Sequence, residues 1–213
     1  MTPRELAELE PRVLPFEGQW ERMIGRPEDH GTWLVWGRSF SGKTRWVMQL
    51  MKYLAELGEK VAYVSLEEGD SESVRRAFAQ SCMEAVNGRV SLWKGMDVED
   101  LKAELRKQRS PRVVVIDSLQ YLGINYQGYK LLKEEFAGKL LIFVSHANER
   151  KEPMGSTAVK IRYDAMVKVL VDGFRAKAFS RYGGGEIMTV WEWGASQNPE
   201  GAELDDGLTI ETK

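Results

Sequence analysis

The chain has 213 residues, 43% of them hydrophobic, enough to bury one substantial core, and the expectation is a single domain. Its 30 Lys and Arg residues against 32 Asp and Glu give a formal charge of -2, so any nucleic-acid contact must come from a local basic patch and not from the whole molecule. The one cysteine, Cys82, excludes an intramolecular disulfide and a cysteine-based zinc cluster, while the lack of a run of about 18 apolar residues and the charged start "MTPRELAELEPR" argue against a membrane span or signal peptide, leaving the cytoplasm as the simplest home.

Strand and helix signals alternate from Thr32 onward. "TWLVW" (Thr32 to Trp36) is short and apolar, as a buried strand should be, and a Gly-rich turn follows it. Val47, Leu50, Met51 and Leu54 then recur at helical spacing until Gly58 offers a stop. "VAYVSL" (Val61 to Leu66) predicts the next strand, and "SESVRRAFAQSCMEAV" one helix beginning near Ser71. A short strand is expected near Arg89 to Trp93. The helix after it is opened by Asp97 as N-cap, with Asp100 too short for a full capping box. "VVVID" (Val113 to Asp117) is continuous and β-branched, which places it centrally in a parallel sheet. A helix over Gln127 to Phe136 leads to "LLIFVSH" (Leu140 to His146). Two further strands are expected near Met166 to Val171 and Lys177 to Ser180, with "YGGG" turning antiparallel into "EIMTVWEW".

Between the first strand and the first long helix sits "GRSFSGKT", which matches G-x-x-x-x-G-K-[ST] without a mismatch. Gly37 and Gly42 permit a loop that wraps a phosphate chain. The backbone N–H groups across Arg38, Ser39, Phe40, Ser41, Gly42, Lys43 and Thr44 supply donors at a helix N-terminus, and the nucleotide-contacting stretch extends to Arg45. Lys43 places a cation near the β- and γ-phosphates, and Thr44 offers its hydroxyl to Mg²⁺. Asp117, ending "VVVID", is the second metal ligand such a loop needs, the alternative for a strand-terminal Asp being a helix cap. Glu67 and Glu68 end the strand that follows the loop helix, at the edge where open α/β sheets bind ligands. Glu67 is assigned as the base that orients and deprotonates an attacking water. Glu68 is left with three roles: assisting it, holding the metal shell through water, or facing solvent.

"GRSFSGKT", "YVSLEE", "VVVIDSLQ" and "FVSH", in this order and on these strands, resemble the RecA/RadA/DnaB/KaiC group of P-loop ATPases. The resemblance covers Gly25 to Trp193 and implies an α/β, RecA-like fold with a mostly parallel central sheet, flanking helices and late antiparallel strands. It divides the chain into an N-terminal extension (1–24), an ATPase domain (25–193) and an acidic tail (194–213), close to a bare core. It implies ATP and Mg²⁺ as cofactors, a homo-oligomer in the form of a hexameric ring or filament, and Glu67 as the catalytic glutamate. His146 becomes the γ-phosphate sensor, against the plainer reading of a satisfied histidine at a strand end. The group's Lys-x-Arg signature is partly kept: "FSRYGG" retains Arg181 and Gly183, but Phe179 stands where lysine is expected and Lys177 is two residues away. Arg181 is thus a candidate finger reaching a neighbour's nucleotide, or else a surface arginine.

The resemblance also implies single-stranded DNA as a partner, through loops after the third and fourth motif strands. "YLGINYQGYK" would offer a flexible loop with tyrosines, including Tyr126, and with Lys130; "NERKEPMGSTAVK" would offer Arg150, Lys151 and Lys160 to phosphates. Plain surface loops are the alternative, since Glu149 and Glu152 dilute the charge, and Arg162 could pair with Asp164. Trp33, Trp36 and Trp191 are expected on strands as core or sheet-face residues, and Trp46 in the core or near a nucleotide base. Three functions fit: a DNA-directed ATPase, a nucleotide-timed assembly protein without DNA, and a small-molecule kinase, which lacks the arginine-bearing lid such an enzyme needs.

Overall fold

The apolar runs form strands in the computed structural model, which describes residue 2 and residues 10–199; residues 200–213 of the acidic tail lie outside the described residues. The strands are β1 (Gly31–Gly37), β2 (Val61–Ser65), β3 (Val90–Lys94), β4 (Val113–Asp117), β5 (Leu140–His146), β6 (Val167–Asp172), β7 (Arg175–Ser180) and β8 (Met188–Thr189). They join in one sheet of order β3-β2-β4-β5-β1-β6-β7-β8, parallel up to β6 and antiparallel beyond. β4 lies inside the sheet between β2 and β5, as its unbroken β-branched run requires.

The helices are α1 (Gly18–Ile24), α2 (Lys43–Glu56), α3 (Glu72–Gln80), α4 (Val98–Arg106), α5 (Leu119–Leu122), α6 (Tyr126–Glu135), α7 (Ser156–Asp164) and α8 (Glu192–Ser196). Period-2 alternation sends Trp33, Val35, Val113, Val115, Ile142 and Val144 to one face, under α1, α2 and α3. Leu34, Trp36, Val114, Ile116, Leu141 and Phe143 point to the other, under α4 to α7. Both faces are covered, which is why the central strands read as continuous apolar runs. No helix among the described residues is long and apolar enough to cross a membrane.

The structure departs from the sequence reading in several places. Residues 14–24 contribute to the core: Leu14, Phe16, Trp20, Met23 and Ile24 are buried in the cluster that holds α2. Phe16 meets Trp33 at 6.3 Å and Trp20 meets Trp46 at 5.7 Å, and a side chain of this kind gains about 1.5–3 kcal/mol on burial. The expected helix from Ser71 to Val86 breaks after Gln80, because Cys82 turns left-handed (φ 52°) and a 3-10 turn, Met83–Val86, carries Met83 and Val86 into the core. Asp100 does close a capping box: Asp97 accepts from its backbone N–H at 2.9 Å, and its carboxylate accepts from that of Asp97 at 3.3 Å. "EIMTVWEW" yields only the two residues of β8, since Trp191 leaves the sheet to cap α8 and packs on Phe174 and Trp193.

Candidate active site

Four strand ends build the site. The phosphate-loop segment follows β1, Glu67 and Glu68 follow β2, Asp117 ends β4 and His146 ends β5. Parallel strands with one register bring all four to the same edge of the sheet, around a cleft of about 420 Å³.

The two glycines of the loop are demanded by space. A Cβ on Gly37 would lie 2.1 Å from the Val171 carbonyl oxygen, so the loop leaves β1 in backbone contact with β6. Gly42 has φ +100°, the left-handed region, and a Cβ there would meet the Phe174 ring at 2.9 Å. Phe174 in turn ties the β6–β7 turn to the loop, its N–H donating to the Ser41 carbonyl at 3.0 Å. Arg38 and Ser39 are exposed, Ser41 is buried, and Gly42 to Arg45 are half-buried at the start of α2. Phe40 is 96% exposed at the loop tip.

Lys43 reaches back across the loop and donates from Nζ to the Arg38 carbonyl at 2.8 Å. Burial pushes its pKa down, and the carboxylates of Asp117 and Glu67 pull it back up. Glu67 Oε2 lies 3.2 Å from His146 Nε2, so the two residues assigned to water and to γ-phosphate touch each other. Glu68 behaves differently. Its Oε2 accepts from Ser71 Oγ at 3.3 Å and from Ser73 Oγ, which fastens it to the start of α3.

Asp117 accepts a hydrogen bond from the Tyr63 hydroxyl at 2.7 Å. Burial raises the Asp117 pKa, opposed by the Tyr63 bond and then by Lys43. The Tyr63 phenol is pushed well up, by burial first and by Asp117 next. Thr44 and Asp117 line one cleft with a hydroxyl and a carboxylate, hard oxygen donors that suit Mg²⁺ when phosphate oxygens and water complete its shell. Among the described residues no group of three or more His, Cys, Asp or Glu could hold a metal alone.

Some site residues escape a reading of sequence. Tyr63 looks like one more apolar strand residue, yet alternation places it with Ser65 on the loop-helix face, two positions from the strand end. Gln120, in the "VVVIDSLQ" stretch, donates from Nε2 to Ser145 Oγ at 2.8 Å and to the Met154 carbonyl at 2.9 Å, while its Oε1 accepts from the His146 N–H at 3.4 Å. It thereby joins β5 to the turn that follows. Arg45 lies over the Trp191 ring at 4.7 Å and donates to Gln80 at 3.3 Å. Trp46 is fully buried and takes no place in the cleft.

Other expected residues stand apart. Arg181 follows β7 at the opposite end of the sheet: its N–H bonds the Met166 carbonyl, next to Thr32, about five strand residues or roughly 17 Å below the phosphate loop. The stretch from Tyr121 to Lys130 is not a flexible loop but α5, a short link and the start of α6, capped by Asn125. Tyr126 stacks on buried Tyr129 at 5.7 Å and carries the Lys160 ammonium over its ring at 5.4 Å. Lys160 is on α7, not on a loop. Lys151 is drawn to Asp172 at 3.0 Å, Arg162 pairs with Glu152 and not with Asp164, and Arg150 and Lys130 are exposed.

No protein-family model matches the chain. A 104-residue stretch, 48% of the chain, is 29% identical to the DNA repair protein RadA of Chlamydia muridarum, and spans 22% of that protein. Among solved structures, the flagellar accessory protein FlaH of Methanocaldococcus jannaschii superposes with a TM-score of 0.59 at 15% identity, over 85% of this chain and 96% of that one. The KaiC-like protein PH0186 of Pyrococcus horikoshii gives 0.53 at 18% identity, over 81% and 87%. With its strand order and its loop at the end of β1, the chain has the fold of the RecA-like P-loop ATPases.

Proposed function

We propose that the chain is a Mg²⁺-dependent ATPase. The observation that carries this reading is the convergence of Lys43, Thr44, Glu67, Asp117 and His146 on one cleft at the carboxyl edge of the sheet. In it, the loop N–H groups and Lys43 cradle the phosphates, Lys43 exchanging the Arg38 carbonyl for them. Thr44 and Asp117 would hold Mg²⁺, which when bound neutralises charge on the phosphates. Glu67 orients and deprotonates the attacking water, and His146, in contact with it, reports the γ-phosphate to β5 and through Gln120 to the turn beyond. A smaller cleft of about 220 Å³ shares Thr44, Arg45 and Glu68 with the first and is completed by Ser73, Ala77 and Gln80 of α3.

Arg181 stands too far from its own loop to touch that nucleotide, so it acts, if it is a finger, on a neighbouring subunit in a ring or filament. The mixing test is direct: Arg181→Ala and Glu67→Gln subunits, each inactive alone, are expected to regain activity together where one supplies the acid and the other the arginine. A mixture as inactive as its parts, with subunit exchange demonstrated, removes the finger.

A switch or assembly role without DNA has its own support, since Lys151 is engaged by Asp172 and the tyrosine stretch is helical. ATPase rate measured with and without single-stranded DNA over a range of protein concentrations tests these readings together. A rate per subunit that rises with concentration supports assembly, stimulation by DNA supports the DNA-directed reading, and absence of hydrolysis throughout defeats the ATPase reading.

A further inference from the structure

β2 and β4 are neighbours in register, with Ser65 beside Asp117 and Tyr63 beside Val115. Tyr63 therefore reaches Asp117 diagonally, on the face that α2 covers. Its ring is 2% exposed and packs on Phe78 of α3 at 6.1 Å, so the hydroxyl is delivered by a side chain with little freedom to move. The neighbour closest to Asp117 on β2 is Ser65, itself buried and too short to crowd the carboxylate. The hydroxyl donates to Oδ2 at 2.7 Å. A carboxylate bound through one oxygen by a fixed donor has its plane set and its other oxygen committed to a single direction.

We propose that Tyr63 is a positioning residue for the metal site: its hydroxyl holds one oxygen of Asp117 so that the other is available to Mg²⁺ or to a metal-bound water. The inference rests on the reading of Thr44 and Asp117 as metal ligands. It assigns to a strand residue the part played in other metal sites by groups that orient a ligand without touching the ion, whose loss there weakens metal binding about 10- to 100-fold.

Tyr63→Phe removes one oxygen and leaves the ring against Phe78. Nucleotide affinity would be titrated against Mg²⁺ with a fluorescent ATP analogue, in chelator and over rising metal. The Mg²⁺ concentration that gives half of the metal-dependent gain is expected to rise about tenfold in Tyr63→Phe, with affinity in chelator unchanged. Phe78→Leu, which loosens the packing of the ring but keeps the hydroxyl, should lower the melting temperature and move the Mg²⁺ dependence less than Tyr63→Phe does. The pair Tyr63→Phe and Asp117→Asn should be no worse in Mg²⁺ dependence than Asp117→Asn alone, because both act through one carboxylate. A Mg²⁺ titration of Tyr63→Phe that overlays the wild type, or full additivity with Asp117→Asn, overturns the proposal while the ATPase reading stands. Wild-type protein whose nucleotide affinity ignores Mg²⁺ overturns both.

Discussion

Lys43→Ala is expected to abolish nucleotide-dependent activity without unfolding the protein. Nζ serves the loop through one bond to the Arg38 carbonyl, a contribution of about 0.5–1.5 kcal/mol for a typical hydrogen bond and about 1.5–3 for a charged donor. Against this stands the cost of burying the ammonium, the largest influence on a pKa that lies below the ordinary lysine value. The sign follows: a lysine whose folded pKa is depressed destabilises the fold below that pKa, so its removal relieves a cost near neutral pH. The two effects oppose each other, and the melting temperature of the variant should stay within a few degrees of wild type. The wild type should behave otherwise on ligand addition. ATP and Mg²⁺ at about 100 times the dissociation constant stabilise by about 2.7 kcal/mol, which for a domain of this size is a rise of roughly 5–10 °C. Lys43→Ala should show neither that rise nor turnover. A variant that hydrolyses ATP at the wild-type rate would end the phosphate-loop assignment.

The parts of this site that were legible in the sequence are those where local geometry forces residue type. Gly37 and Gly42 sit where a Cβ would strike the backbone of β6 or the ring of Phe174, and such positions show as glycines at fixed spacing. Apolar runs mark β1, β2, β4 and β5 because both sheet faces are covered, and the acids that end two of those runs stand out against them. What stayed hidden depends on contacts between distant segments. Tyr63 is indistinguishable from a core aromatic until β4 is laid beside β2. Glu67 can be put ahead of Glu68 by position alone, but that Ser73, on the next helix, engages Glu68 is not visible until the helix is laid beside the strand end. Arg181 belongs to a signature that is only partly kept, and the antiparallel return of β7 carries it to the far end of the sheet. Lys151 and Lys160 look like one basic loop, but the chain separates them by starting α7 at Ser156 and by giving Lys151 to Asp172.

Glu67→Gln is expected to slow hydrolysis by about 10²- to 10⁴-fold while leaving nucleotide affinity near wild type, the range for loss of a general base. The amide is nearly isosteric with the carboxylate and can still meet His146 Nε2, 3.2 Å from Glu67 Oε2, so what the change removes is basicity more than position. Glu68→Gln provides the internal comparison. Its carboxylate is engaged by Ser71 and Ser73 at the start of α3, and its loss should cost much less in turnover than the loss of Glu67. His146→Ala separates position from proton transfer: Glu67 keeps its charge and loses its partner, so turnover should fall less than in Glu67→Gln. The coupling through Gln120 to the Met154 carbonyl gives this variant a second readout, protease or hydrogen-exchange protection of the 147–155 turn with and without ATP. Single-turnover rates at saturating ATP measure all three. If Glu68→Gln is the slowest, the catalytic base is Glu68, and the His146 contact to Glu67 then belongs to the architecture of the cleft and not to its chemistry.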